Sequence, residues 1–335
     1  MSSEVYNQLS ERLNFPSSGY LPRILERMLT PEEGKLVLEL PAQNDEIARK
    51  LSMDEEVVKK KLEELRQRGL VWPGPEGLRF GPTFEHLRAI FLITAEKFMS
   101  VESLEELMDM WKEFYKAEWC QAQGKYYGEH EGLAMRVIPA RKAFQHTPEI
   151  SPGKILPDED LRGTLERAEV ISVQPCVCRR MWRSCNAPLE VCLQFNQWAE
   201  YTMARGGGKK VSLEEALAIS DSAEEAGLVH NMPTAAFAVM CNCCADCCVV
   251  IDPARKCGTL SQAVAKSHYR SIIEQDLCTG CQDCVEKCPF GAIEMKKAPP
   301  SKKLKAAVEL EKCFGCGVCV VACPSEAITM KLVES

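Results

Sequence analysis

Apolar and polar residues in the first third of the chain recur with the period of α-helices. Thr30-Pro31-Glu32-Glu33 has the form of a capping box with proline at the first helical position, so it predicts the start of a helix that runs to residue 40. The same periodicity predicts a short second helix over residues 45–51 and a third over 54–68. Two longer helices are predicted over residues 84–99 and 104–119, with their aromatic residues in the core.

A short β-hairpin is predicted after the third helix, because residues 71–80, VWPGPEGLRF, place proline and glycine at the turn. Residues 30–82 therefore resemble a winged helix-turn-helix domain. A DNA-reading helix would carry an excess of basic residues, yet residues 54–68 contain five acids and five bases. The charge pattern favours a structural or protein-docking role over operator binding.

The last part of the chain is an internal duplication. EQDLCTGCQDCVEKCPFGAIEM, starting at Glu274, is repeated 35 residues later by ELEKCFGCGVCVVACPSEAITM, starting at Glu309. A loop with a thiolate at every third residue can reach three irons of a cubane, and the fourth iron needs a ligand from elsewhere. Short apolar pieces around the loops predict strands over residues 271–273, 292–295, 306–310 and 327–332. The motif C-x2-C-x2-C-x3-C-P occurs in both copies, as Cys278, Cys281, Cys284 and Cys288, and as Cys313, Cys316, Cys319 and Cys323.

These two motifs resemble the bacterial-type ferredoxin domain that holds two 4Fe-4S clusters, in which each fourth cysteine crosses to the other cluster. The resemblance implies a first cluster bound by Cys278, Cys281, Cys284 and Cys323. It implies a second cluster bound by Cys313, Cys316, Cys319 and Cys288. A structural zinc site would need only two C-x2-C pairs, so the full motifs favour clusters over zinc. The lysine-rich segment 296–305 is interpreted as a solvated loop rather than a docking site for an acidic partner.

A second cysteine-rich region precedes the duplication. Residues 169–174 read as a strand, which would place Cys176 and Cys178 on one face, and the later cysteines would share neighbouring faces of a helix. The arrangement resembles iron-sulfur proteins of anaerobes, although Ala245 after Cys243 and Cys244 departs from the C-C-G pattern of heterodisulfide-reductase-type subunits. We predict a third iron-sulfur cluster here, with structural thiols as the alternative. The candidate ligands are Cys176, Cys178, Cys185, Cys192, Cys241, Cys243, Cys244, Cys247 and Cys248.

Several neighbours of these cysteines have two interpretations. The arginines Arg179, Arg180 and Arg183 would raise the potential of an adjacent cluster, or they are ordinary surface residues. His230 could be a ligand, but a lone histidine is more often a packing residue. Cys120 and Cys257 stand apart in the sequence and are assigned no role.

Composition changes this picture in three respects. The 335 residues, 46% of them hydrophobic, suffice for several domains, and the predicted class is α+β. The net charge of −7 gives the whole chain no electrostatic reason to bind nucleic acid. No export signal or membrane span is recognisable, so a cytoplasmic location is expected, where the 19 cysteines stay reduced and available to metals.

The predicted domains are a helical, winged-helix-like domain over residues 1–120, a linker over 121–157, a cysteine-rich α/β domain over 158–258 and a ferredoxin domain over 268–335. The leading hypothesis is an iron-sulfur protein that relays electrons through two 4Fe-4S clusters and a third cluster to redox partner proteins. One alternative is a reductase with a catalytic central cluster. Another is a transcription regulator that senses redox state through its clusters.

Overall fold

The computed structural model describes residues 2–81, 83–129, 134–299 and 303–333. Helices and strands are mixed along the chain, which confirms the α+β class. The chain divides into two compact units. Unit 1 comprises Met1–Trp119 and Ala204–Gly207, and unit 2 comprises Cys120–Met203 and Gly208–Ser335.

Unit 1 is mainly helical. Its predicted capping box is present: Thr30 Oγ1 accepts from the N–H of Glu33, and Glu33 Oε2 accepts from the N–H of Thr30. The predicted helices and the hairpin are confirmed as elements, with ends that differ by a few residues. The elements are α1 Ser2–Arg12, α2 Leu21–Met28, α3 Pro31–Leu38, α4 Asn44–Leu51, α5 Glu55–Gln67, β1 Val71–Gly74, β2 Gly77–Phe80, α6 Phe84–Thr94 and α7 Val101–Phe114.

The short segment Ala204–Gly207 belongs to unit 1 through one buried side chain. Arg205 donates from Nε to the carbonyl oxygen of Gln67 and from Nη2 to that of Ile90 and to Thr94 Oγ1. Such buried charge-assisted hydrogen bonds are among the stronger polar interactions in proteins. A return segment from residue 204 therefore completes the first unit.

Unit 2 begins with the segment that the sequence predicts to be a linker, and here the structure differs. Residues 121–157 include most of α8 Cys120–Glu129, all of β3 Met135–Ile138 and all of α9 Arg141–Gln145. Strand β3 pairs with a neighbour later in the chain, and α9 contributes Ala143 and Phe144 to a buried core. Glycine and proline in this stretch mark turns between short elements rather than an unstructured connection.

The centre of unit 2 is a seven-stranded sheet in the order β6-β4-β5-β8-β7-β3-β9. All its pairs are antiparallel except β3 with β9, so the predicted α/β domain has a mainly antiparallel sheet. Apolar residues of one face pack against α10 and α13. The elements are α10 Leu161–Glu166, β4 Ile171–Pro175, α11 Val177–Trp182, β5 Glu190–Phe195, α12 Asn196–Ala204, β6 Lys209–Val211, α13 Leu213–Glu225, β7 Val229–Pro233, β8 Val239–Cys243, α14 Ile251–Lys256, α15 Leu260–Ala263 and β9 Val264–Ala265.

The C-terminal part of unit 2 consists of two antiparallel strand pairs and two short helices. The four strands predicted from the apolar pieces are confirmed, and β10 pairs with β13 while β11 pairs with β12. This interlocking of the first and last strands brings the two copies of the duplication together. The elements are β10 Tyr269–Ile273, α16 Asp283–Lys287, β11 Ile293–Lys297, β12 Leu304–Val308, α17 Val318–Val321 and β13 Ile328–Leu332.

The duplication extends to the backbone conformation. Three pairs of positions 35 residues apart share a positive φ: Gly280 and Gly315, Gln282 and Gly317, and Gly291 and Glu326. Left-handed conformations at matched positions shape both loops identically. The two copies therefore present their cysteines from the same turn geometry.

Candidate functional site: thiol-lined cavities and a central cysteine face

The first cavity lies in the C-terminal part of unit 2. Three of its cysteines come from the loop before α16 and from α16 itself, and the fourth comes from the end of the second copy. Apolar side chains of Ile273, Ala306 and Ile328 complete the wall. The cavity brings together Cys278, Cys281, Cys284 and Cys323.

The second cavity also lies in the C-terminal part of unit 2. Its wall includes Phe290 and Phe314, whose rings stack with centroids 4.4 Å apart. Here the second copy supplies three cysteines and the first copy supplies the fourth, so each copy contributes one cysteine to the other copy's cavity. The cavity brings together Cys288, Cys313, Cys316 and Cys319.

Glycine is required where the cysteine loops approach other backbone. A Cβ on Gly280 would lie 2.4 Å from the carbonyl oxygen of Leu304, and one on Gly315 would lie 2.0 Å from that of Tyr269. Both residues also have a positive φ. Any other residue at these positions would push the loop away from its strand and displace the neighbouring thiols.

Burial disfavours the charged form of several thiols in the two cavities. Burial raises the pKa of Cys284 to about 11 and raises those of Cys288, Cys316 and Cys319 as well. The N–H groups of Ala292 and Ala327 point at the sulfurs of Cys288 and Cys323, each at 3.3 Å. Buried thiolates with N–H donors and an apolar wall fit a cationic iron-sulfur core, which replaces the charge compensation that water cannot supply.

The two cavities differ in their exposure to solvent. In the first, Cys281 is exposed and Cys278 and Cys323 are half-buried. In the second, Cys313, Cys316 and Cys319 are all buried. Helix α9 covers this second loop, where the N–H of Ala140 donates to the carbonyl oxygen of Cys316 at 2.9 Å.

The central cysteines lie on the inner strands β5 and β8 and on the segments next to them, and two local predictions are wrong. Strand β4 ends at Pro175, so Cys176 caps α11 and Cys178 lies within that helix instead of on a strand. Cys241 and Cys243 lie on strand β8, and the residues that follow form a turn instead of a helix. Pairing of β8 with β5 and β7 outweighs the helical spacing of these cysteines.

Six of the central thiols form one connected group, which we call the thiol row. Side-chain hydrogen bonds link Cys192 on β5 with Cys176 and with Cys241 on β8. Those from Cys192 and Cys243 lower the pKa of Cys241 to about 6. The row consists of Cys178, Cys176, Cys192, Cys241, Cys243 and Cys248.

The other three central thiols form a separate, tighter group, which we call the thiol triad. Cys185 Sγ lies 3.6 Å from Cys244 Sγ and 3.7 Å from Cys247 Sγ. All three sulfurs lie within 4.8 Å of one another. A hydrogen bond from Cys247 and the charge of Arg179 hold the pKa of Cys244 at about 5, well below that of an ordinary thiol.

Arg179 is the buried cation of this region, whereas Arg183 is exposed and Arg180 half-buried. Its guanidinium donates to the carbonyl oxygens of Pro188 and Asn242. Burial alone would lower the pKa of Arg179, but the thiolate charges of Cys176, Cys244 and Cys192 raise it above its ordinary value. One of the three arginines therefore lies among the thiols, and its side chain is held by the backbone.

His230 has the environment of a packing residue. Its Nε2 lies 2.9 Å from Glu224 Oε1, and its Nδ1 hydrogen-bonds with Asn242 Oδ1. Glu224 also accepts the N–H groups of Arg141 and Lys142 at the start of α9. With both ring nitrogens engaged, the described geometry leaves no nitrogen of His230 for a metal.

The face of the sheet that carries the thiol row is polar as well as buried. Gln174 on β4 is paired with Cys192, and Asn231 on β7 is paired with Cys241. Within the described residues, Gln174 Oε1 and Asn231 Oδ1 are buried and lack a hydrogen-bond partner, as do Ser172 Oγ and Gln194 Oε1. Buried polar atoms usually have partners, so these oxygens would accept hydrogen bonds from water or another donor at this face. Neither amide was a candidate in the sequence, because nothing in their local pattern distinguishes them from surface residues.

Cys120 and Cys257 are not candidate ligands, because the structure joins them in a disulfide between α8 and α14. Their Cα atoms are 6.0 Å apart, although 137 residues separate them in the sequence. The sequence carries no sign of this pairing, which arises from the packing of two helices. No helix in the described part of the chain combines the length and the apolar character that a membrane crossing requires.

Comparison with known proteins agrees with the C-terminal geometry. Residues 277–327 match the family described as "4Fe-4S dicluster domain". The chain is also similar to the "Putative electron transport protein YsaA" of Escherichia coli (strain K12), with 36% identity over 59 residues. That alignment covers 17% of this chain and spans about a third, 33%, of the relative's length. No solved structure matches the chain. The C-terminal segment thus matches a family of 4Fe-4S dicluster domains.

Proposed function

We propose that this protein transfers electrons through two 4Fe-4S clusters held in the two C-terminal cavities. The observation that carries the proposal is the exchange of one cysteine between the two copies, so that each cavity has four thiols. Cys278, Cys281, Cys284 and Cys323 would hold the first cluster, and Cys313, Cys316, Cys319 and Cys288 the second. Each bound cluster would supply a one-electron redox centre.

The chain's own residues would tune and shield these centres. The N–H groups of Ala292 and Ala327 would stabilise the thiolates of Cys288 and Cys323 by hydrogen bonding. Ser271 Oγ, 3.0 Å from Cys319 Sγ, adds a hydroxyl at the second cavity. The stacked rings of Phe290 and Phe314 exclude water there. Hydrogen bonds to sulfur and exclusion of solvent are the means by which a protein sets cluster potential.

The difference in exposure supports a direction for the relay. Partner proteins would exchange electrons at the first cavity, because the exposed Cys281 brings it to the surface. The second cavity, covered by α9, would serve as the inner centre. Electron transfer favours short separations between centres, and the exchanged cysteines hold the two cavities side by side.

We propose that the thiol row holds a third cluster. Six connected thiols exceed the four ligands that a cubane needs. The row also lies close to the C-terminal part within unit 2. Lys287 of α16 donates to the carbonyl oxygen of Ala226 at 3.4 Å, and Ala226 packs against the core that contains Cys176 and Cys192.

The charged residues of the winged-helix-like segment, residues 30–82, favour protein docking over DNA binding. Four of the bases on and just after α5 are paired with carboxylates: Lys59 with Glu56, Lys61 with Glu32, Arg66 with Glu63 and Arg68 with Glu33. Cations engaged in this way are less available to neutralise phosphates. We propose that this segment is structural or contacts a redox partner, which disfavours the alternative of a transcription regulator.

Metal and sulfide analysis of anaerobically purified protein tests the function. We expect about twelve irons and twelve acid-labile sulfides per chain, eight of each from the C-terminal cavities and four from the thiol row. Reduction with dithionite should produce paramagnetic signals of interacting clusters at low temperature. A colourless protein without labile sulfide would contradict the whole proposal, and eight irons would contradict only the third cluster.

A further inference from the structure

The nine central thiols separate into two groups where strand β8 ends, at Cys243. Successive residues of a strand point to opposite faces, so Cys241 and Cys243 share one face. Cys244, the first residue after the strand, contacts Cys185 and Cys247. The two groups are therefore separate in their sulfur contacts, although Cys244 also packs against the core cluster that contains Cys176 and Cys192.

The spacing of sulfurs in the thiol triad is that of ligands to one ion. A zinc-sulfur bond of about 2.3 Å places two sulfurs of a tetrahedral site about 3.8 Å apart. The distances from Cys185 Sγ, 3.6 Å to Cys244 and 3.7 Å to Cys247, match that edge. The thiolates of a cubane each bind a different iron, so their sulfurs must lie farther apart.

The same chain provides an internal comparison. The eight cysteines of the C-terminal cavities are all described, and no three of them have sulfurs within 4.8 Å of one another. The thiol row likewise contains no such trio among its described residues. Among these cysteines, a trio of mutually close sulfurs is thus particular to the triad, whereas the thiols of the row contact one another in pairs.

Local charge and backbone geometry also suit a divalent ion. Three thiolates and one divalent cation carry a net charge of about −1. Arg179, which is buried and whose charge lowers the pKa of Cys244, would balance it. Two of the thiols come from one turn, Cys244 and Cys247, in the C-x2-C spacing that a tetrahedral site uses.

We infer that Cys185, Cys244 and Cys247 bind a single zinc ion, separate from the iron-sulfur clusters. Three protein thiolates leave the fourth position of the tetrahedron to water or another small ligand. Arg179 would act from outside the ligand set, by orienting and neutralising Cys244. The ion would tie the 184–188 segment to the turn after β8 and so stiffen the boundary of the thiol row.

Zinc and iron analysis of the full chain tests this inference with a reciprocal pair of variants. The wild type, purified anaerobically, should contain one zinc per chain, and X-ray absorption at the zinc edge should show three sulfurs at about 2.3 Å. The variant Cys185→Ser/Cys247→Ser should lose the zinc and retain all iron. The variant Cys176→Ser/Cys178→Ser should lose iron and retain the zinc.

Each other outcome contradicts a specific part of this inference or of the proposed third cluster. Loss of about four irons from Cys185→Ser/Cys247→Ser would place the triad in a cluster and contradict the inference. Loss of a single iron, or a wild type without zinc, would contradict zinc as the ion. If Cys176→Ser/Cys178→Ser kept all its iron while the zinc results held, the third cluster would fail and the zinc site would stand. Unchanged paramagnetic signals of the C-terminal clusters in both variants would show that the chain still folds.

Discussion

Cys243 and Cys244 are neighbours in the chain but belong to different thiol groups. Cys243 contacts Cys241 and Cys248 in the thiol row, whereas Cys244 contacts Cys185 and Cys247 in the triad. The end of strand β8 at Cys243 causes this division, because the strand holds one thiol on its face and the turn that follows redirects the other. The nine cysteines are therefore two sites in this interpretation, and each can be altered without the other.

Replacement of Cys176 and Cys178 by serine should remove about four irons per chain. Both residues belong to the thiol row, and serine removes a soft sulfur ligand while changing little volume. The two C-terminal clusters should remain, because none of their proposed ligands is changed. Iron analysis and low-temperature paramagnetic resonance measure both effects. An unchanged iron content would make these thiols structural and would remove the basis for a catalytic central cluster.

The variant Gly315→Ala should lose the second C-terminal cluster. A methyl group there would lie 2.0 Å from the carbonyl oxygen of Tyr269, so the loop that carries Cys313 and Cys316 must move. We expect about half of the C-terminal iron to be lost, which elemental analysis would detect.

Gly291→Ala is the matched control for that variant. Gly291 also has a positive φ, but a Cβ there meets no atom within 4 Å, and Glu326 takes a similar conformation in the second copy. The Gly291→Ala variant should lose roughly 1 kcal/mol of stability to backbone strain and should keep its iron. Equal iron loss in both variants would show that backbone conformation, rather than the close approach, is what matters.

Phe144→Ala should destabilise the C-terminal part although it lies outside the duplication. The ring of Phe144 is buried and packs edge-on against Tyr269 at 4.8 Å. Removal of such a ring costs about 3–5 kcal/mol. The urea concentration at which visible absorbance is lost should fall clearly. Phe98→Ala, at a residue that is 43% exposed, should leave this urea concentration nearly unchanged. A similar midpoint for both variants would contradict the proposed role of α9 as a cover.

Arg179→Gln should lower the reduction potential of a cluster in the thiol row. A buried cation beside Cys176 and Cys192 favours the more negative, reduced state, so its removal disfavours reduction. At protein-like dielectric constants, one charge beside a cluster shifts the reduction potential of that cluster by on the order of 60–100 mV. A redox titration followed by paramagnetic resonance measures the shift. Arg179→Lys, which keeps the charge, and Arg183→Gln, at an exposed residue, should shift the potential much less. If Arg179→Lys lowered the potential as far as Arg179→Gln, geometry rather than charge would be responsible.

The sequence by itself determined the local elements of this protein. The capping box at Thr30, the hairpin over residues 71–80 and the apolar pieces around the C-terminal motifs each depend on nearby residues, so a local pattern suffices to predict them. The repeated C-x2-C-x2-C-x3-C-P motif is local in the same sense. Its resemblance to two-cluster ferredoxins implied the same two sets of four cysteines that line the two cavities.

Tertiary structure alone decided how the remaining cysteines are grouped. Residues 241–248 have helical spacing, but pairing of β8 with its neighbours makes a strand and a turn of them and so separates Cys243 from Cys244. The disulfide of Cys120 with Cys257, the buried amides Gln174 and Asn231, and the cover formed by α9 likewise depend on residues far apart in the chain. Contacts of this kind follow from the packing of whole elements, which no local spacing records.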